Sequence, residues 1–121
     1  MAEHNDIGRI GERAVIGYLE DEGYTVLEHN WFYRKLEVDI IAQNRECIIF
    51  VEVKTRTSDR WGNPEDAVSK TKIRNLVESA DYYLKEKDID LPARFDVASV
   101  IYDNGKCEIE YFEDAFLPPV N

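Results

Sequence analysis

The chain has 121 residues, 44% of them hydrophobic and 33% charged, with a formal net charge of -10. That length suits one domain with a core of its own and is too short for two, so residues 1–121 read as a single domain. The composition excludes disordered and fibrous classes, and the acidity argues against a general nucleic-acid coat protein, which is usually basic.

Ile7, Ile10, Ala14, Val15, Tyr18 and Leu19 recur at helical spacing, with Asn5 or Asp6 available to cap the helix and Gly23 to stop it. Glu12 falls at the edge of this apolar stripe, where a side chain reaches a cleft beside the core or stays solvated at its rim. Tyr24 to Phe32 reads as the first strand. Val38 to Gln43 and Cys47 to Thr55 read as the second and third, joined by a turn around Asn44-Arg45. Asn63-Pro64 makes a good helix start, with Ser69 as a second possible cap. Ile73, Leu76, Val77, Ala80 and Leu84 then form that helix's buried stripe. Arg94 to Tyr102 and Cys107 to Phe112 are two more strands, around a turn at Asp103-Asn104-Gly105.

The order is αβββαββ. On the second and third strands, Ile40, Ala42, Ile49, Val51 and Val53 point one way, and Ile41, Ile48 and Phe50 the other. Strands apolar on both faces sit in the middle of a sheet with helices on each side. The fold class is therefore α/β, a central mixed β-sheet flanked by helices.

The first residues lack the basic flank and apolar stretch of a signal peptide, and no apolar run is long enough to span a membrane. A cytoplasmic protein without a membrane partner is expected. Cys47 and Cys107 are expected to be buried, reduced thiols, and two histidines, His4 and His29, are too few for a structural zinc site. Between Lys54 and Arg74, six basic residues face three acidic ones, so that segment carries +3 within an acidic molecule. Such an island suits an anion, although a solvated loop and helix face would look the same.

Chemistry enters through strand parity. If the Asn44-Arg45 turn closes a two-residue hairpin loop, Gln43 faces Glu46, Ile41 faces Ile48, Asp39 faces Phe50 and Glu37 faces Glu52. Glu37, Asp39, Glu52 and Lys54 then emerge on one face at one end of two central strands. An odd loop would break the arrangement. Clustered carboxylates repel unless they are protonated or share a cation. Lys54 is one such cation. Asp39 and Glu52, with the carbonyl of Val53, make a hard-oxygen set suited to Mg2+ or Mn2+. An ion there would activate a water at a phosphodiester, with Lys54 positioning that water or neutralising developing charge. The alternative is a sheet-end ion pair between Glu52 and Lys54.

Around this set, Arg56, Arg60, Lys70 and Lys72 are candidate phosphate contacts, and Trp61 either stacks on a base or packs under its own loop. Asp96 reads as structural, holding Arg94 or a loop amide.

Gly11-Glu12 with Ala14, Glu37-Val38-Asp39-Ile40-Ile41-Ala42, Phe50-Val51-Glu52-Val53-Lys54-Thr55-Arg56 and Arg94-Phe95-Asp96-Val97 together resemble the YraN-like bacterial family, over nearly the whole chain. That family is similar to compact members of the PD-(D/E)xK nuclease superfamily, with the restriction-endonuclease-like fold, and closest in organisation to archaeal Holliday-junction resolvases. The resemblance implies metal or catalytic roles for Asp39, Glu52 and Lys54, and names Glu12 as the helix-borne acid. It also implies a DNA substrate, branched or otherwise non-duplex, and a homodimer by analogy. A module that keeps the fold and binds nucleic acid or a partner without turnover is the rival reading. One position departs from the family pattern: Leu36 stands where glycine is common.

Overall fold

Five strands form the sheet, the inner three buried on both faces, and two amphipathic helices cover those faces. The computed structural model of the chain describes residues 4–57 and 69–115. In chain order the elements are α1 (His4–Asp21), β1 (Thr25–Tyr33), β2 (Leu36–Gln43), β3 (Ile48–Thr57), α2 (Lys70–Glu86), β4 (Ala93–Asp103) and β5 (Lys106–Phe112). This is the expected αβββαββ order. The sheet runs β1-β2-β3-β4-β5, with β3 and β4 parallel and the other neighbours antiparallel. A parallel pair needs a crossover, and α2 lies in it.

The two faces bury two separate clusters. Val15 and Leu19 of α1 pack on Ile40, Ala42, Ile49, Val51, Ala98 and Val100. On the other face, Leu76, Ala80 and Tyr83 of α2 pack on Val38, Ile41, Ile48, Phe50 and Phe95. The expected split of β2 and β3 into two apolar faces is observed. Tyr83 belongs to the buried stripe of α2, while Ile73, Val77 and Leu84 are only half-buried.

Several local expectations need correcting. Neither Asn5 nor Asp6 caps α1, because the helix begins at His4; Asp6 instead pairs with Arg9 in the first turn, at 2.9 Å. Gly23 does end the helix. At φ +94° it lets its own amide reach the Glu20 carbonyl and the Tyr24 amide reach that of Leu19, which satisfies two terminal carbonyls. The proposed start of α2 at Asn63-Pro64 lies outside the described residues, whereas Ser69 is the N-cap, its hydroxyl accepting from the Lys72 amide at 3.1 Å. Cys47 and Cys107 are free but half-buried rather than buried.

The β2–β3 register also differs from expectation, by two residues. Gln43 pairs with Ile48, Ala42 with Ile49, Ile41 with Phe50 and Ile40 with Val51. The connection is a four-residue loop in which Asn44 Oδ1 accepts from both the Glu46 and Cys47 amides at 2.9 Å. Four, like two, is even, so the apolar residues from Ile40 and from Ile48 onward keep their predicted faces, whereas strict alternation stops before Ile40, since Val38 packs on the α2 face beside Ile41. Glu37 is corrected: it pairs with Phe32 of β1, and the β2–β3 ladder ends before reaching it. Leu36 pairs with Tyr33 across the β1–β2 turn, and the positive φ there, 57°, falls on Arg34. Glycine is therefore not required at position 36 by the backbone.

Candidate functional site

The β2–β3 ladder has its last pair at Ile40 and Val51, so β3 runs on beside β4 while β2 turns away. Beyond that pair the Val53 amide finds a side chain in place of a backbone carbonyl. Asp39 Oδ2 accepts its hydrogen at 2.8 Å. The sheet thus opens between its second and third strands, and Asp39 and Glu52 lie at the opening.

Both acids are buried, Asp39 at 9% exposure and Glu52 at 3%. Lys54 Nζ stands 3.6 Å from Glu52 Oε2, and Lys72 Nζ of α2 stands 3.4 Å from the same oxygen. Glu52 Oε1 is buried with no hydrogen-bond partner. Burial is the largest influence on Glu52 and the nearby Asp39 charge the second; together they outweigh both lysines and push its carboxyl up to about 7. Asp39 is also raised, again mainly by burial, against the Val53 amide that favours its charged form. Two acids that each prefer to be neutral beside the other form a site short of positive charge.

Both helices contribute to this opening. The charges of Glu12 on α1 and Lys72 on α2 both act on the Asp39 carboxyl. Glu12 is held by β1, its Oε1 3.0 Å from His29 Nε2. His29, counted in the sequence only against a structural zinc site, has Ile40 as its strand partner, next to Asp39, and that cross-sheet placement is invisible in the order of residues. α1 can approach because Gly11 lies against β3: a Cβ there would come within 2.9 Å of Thr55 Cβ and overlap its hydroxyl.

The structure thus brings together Asp39, Glu52, Lys54 and Lys72, with Glu12 near Asp39. Lys70 is exposed in the first turn of α2, and Arg56 is half-buried on β3, two residues beyond Lys54. Arg60 and Trp61 lie outside the described residues. Among the described residues, no three His, Cys, Asp or Glu side chains gather to hold an ion by themselves, so Glu12 does not complete a three-acid cluster. No helix among them is long and apolar enough to cross a membrane.

Asp96 is a structural residue of the α1 face. It is fully buried, takes Arg94 Nη2 at 2.8 Å and the Tyr111 hydroxyl at 2.6 Å, and accepts from the Asp114 amide at 2.9 Å. Arg94 and a loop amide were the partners expected of it.

Comparison with solved structures finds a similar fold in Archaeoglobus fulgidus Hjc, a Holliday junction resolvase from an archaeal hyperthermophile. The TM-score is 0.51 at 16% identity, over 88% of this chain and 77% of that one. At that identity the likeness speaks for the fold alone, which is the nuclease fold of that resolvase. UPF0102 proteins of Phocaeicola vulgatus and Flavobacterium psychrophilum are each 46% identical to this chain. The first aligns over 99% of both chains, the second over 96% of this chain and 98% of its own. Residues 11–100, which hold all four segments of the YraN-like resemblance, match the uncharacterised protein family UPF0102, and the chain belongs to that family.

Proposed function

We propose that this chain is a single-domain, metal-dependent endonuclease that hydrolyses DNA phosphodiesters, with branched or otherwise non-duplex DNA as its substrate. The observation that carries this reading is a pair of buried carboxylates at the sheet opening, one of whose oxygens, Glu52 Oε1, is buried and unpartnered. An orphaned hard oxygen in a charge-deficient pocket fits a divalent cation of the Mg2+ or Mn2+ class. Asp39 and Glu52 would hold it. The Val53 carbonyl would join them, because the N–H and C=O of one strand residue share an edge, and its N–H points at Asp39.

Such an ion supplies an activated water and stabilises charge on the phosphodiester. The chain's own groups do the rest. Lys54 keeps its ammonium beside Glu52, where it neutralises charge developing on the phosphate or orients the attacking water. Glu12, fixed by His29, adds a further acceptor for that water near Asp39. Arg56, Arg60, Lys70 and Lys72 bind flanking phosphates, and Trp61 stacks on an unpaired base. A homodimer would present two such sites to a branched substrate, and the compartment proposed is the cytoplasm.

Calorimetric titration with Mn2+ tests the site. Wild type is expected to bind, and Asp39→Asn and Glu52→Gln to lose at least tenfold in affinity. Equal absence of binding in all three would remove the metal reading. A panel of duplex, single-stranded and four-way DNA then reads turnover. A second reading, a nucleic-acid- or partner-binding module without turnover, draws support from the two lysines that already serve Glu52. It wins if metal binds and every DNA in the panel survives.

A further inference from the structure

Lys72 was expected as a phosphate contact, yet its ammonium turns onto Glu52. It sits in the first turn of α2, which holds no acidic residue, and a cation there opposes the positive end of the helix dipole. Helix stability does not account for it. Its nearest acid is a carboxylate 3% exposed on another element, 3.4 Å away, on an oxygen that Lys54 already approaches at 3.6 Å. Two cations crowd Oε2 while Oε1 has no partner.

We propose that Lys72 is the resident counter-cation of this site, giving up Glu52 when a divalent ion arrives and swinging out to meet substrate phosphate. The proposal rests on the metal reading above. Its logic is charge crowding: a doubly charged ion on Glu52 would face two ammonium groups within a few ångström. Lys54 is tied to the carboxylate's own strand, two residues on. Lys72 comes from another element, and with side-chain exposure nearly equal in the two lysines, 35% for Lys54 and 32% for Lys72, it is this separate anchoring that lets Lys72 leave without moving β3. The exchange keeps the buried acid compensated when the metal is absent, and frees a cation for the phosphate only in the loaded protein.

The test is Mn2+ affinity of Lys72→Met against wild type, with Lys85→Met as a control that removes the same charge from the far end of α2. Lys72→Met is expected to bind about tenfold more tightly, a gain that shrinks as salt is raised, while Lys85→Met matches wild type. Equal or weaker binding by Lys72→Met overturns the exchange. A second measurement needs no variant. Amine labelling read by mass spectrometry should show Lys72 several-fold more reactive in saturating Mn2+ than without it, and unchanged reactivity also overturns the proposal. If wild type takes up no Mn2+, the metal reading falls and the exchange with it. If it does and Lys72 is indifferent, only the exchange falls.

Discussion

Ionised Glu52 has two ammonium groups on one oxygen and nothing on the other, beside a second buried acid. Its carboxyl is therefore held up to about 7 in the fold, against the ordinary 4.5 in the unfolded chain. Between those values the folded state keeps a proton that the unfolded state has released. Stability from this group is complete below the lower value and falls as pH rises toward the upper one, by on the order of 3 kcal/mol without metal. Glu52→Gln should remove that fall. In urea titrations at pH 5 and pH 8, wild type is expected to lose stability relative to the variant; a constant difference would show that the buried carboxyl is not strained by its charge. The proposed metal uptake would have the opposite sign, since it needs the ionised form, and would strengthen up to about pH 7.

At the scale of elements, α1 depends on a backbone with no side chain where it meets β3. Gly11→Ala drives a methyl into Thr55 and should cost about 1–3 kcal/mol. Gly8→Ala meets nothing within 4 Å and should gain up to about 1 kcal/mol from helix propensity alone. Chemical denaturation of the two variants separates them; changes of the same sign would mean that α1 is not pressed on β3 as described. The same contact illustrates what sequence patterning does and does not reveal. Periods of 3.6 and 2 recovered the order of elements and the two faces of β2 and β3, because burial is recorded residue by residue along one chain. The β2–β3 register came out two residues off, because Asn44 folds its side chain into the loop and lengthens it. The site survived that error only because parity did. Lys72 over Glu52 and His29 on Glu12 join residues from different elements, and local periodicity carries nothing about such distances.

Across the whole molecule, the sheet separates two buried acid networks, those of Glu52 and Asp96. Glu52 lies on the face covered by α2, while Asp96, on the strand beside Val51, serves the α1 face with Arg94, Tyr111 and Tyr24. Removing Asp96 leaves the Arg94 guanidinium without its main partner, so Asp96→Ala should cost about 3–5 kcal/mol. Tyr111→Phe, which removes one hydroxyl, should cost about 1 kcal/mol. If these residues are scaffold, Mn2+ affinity of the folded Tyr111→Phe protein equals that of wild type; a large drop would move this network into the site. Charge reads the same way at this scale. The net -10 argued against a general nucleic-acid coat protein, yet Lys54 of β3 and Lys72 at the start of α2 both reach the buried Glu52.

The opening between β2 and β3 has a consequence for how the domain holds together. Where neighbouring strands close their gap with backbone rungs, this one is closed by a carboxylate on the Val53 amide. A backbone rung is indifferent to pH and to cations, but this one strengthens when Asp39 is ionised and weakens when it is not. The sheet is thus laced at that point by a knot whose tightness follows charge. A cation that offset the burial cost of ionised Asp39 would strengthen this bond too, so loading the proposed site and fastening the strand that carries Glu52 and Lys54 would go together.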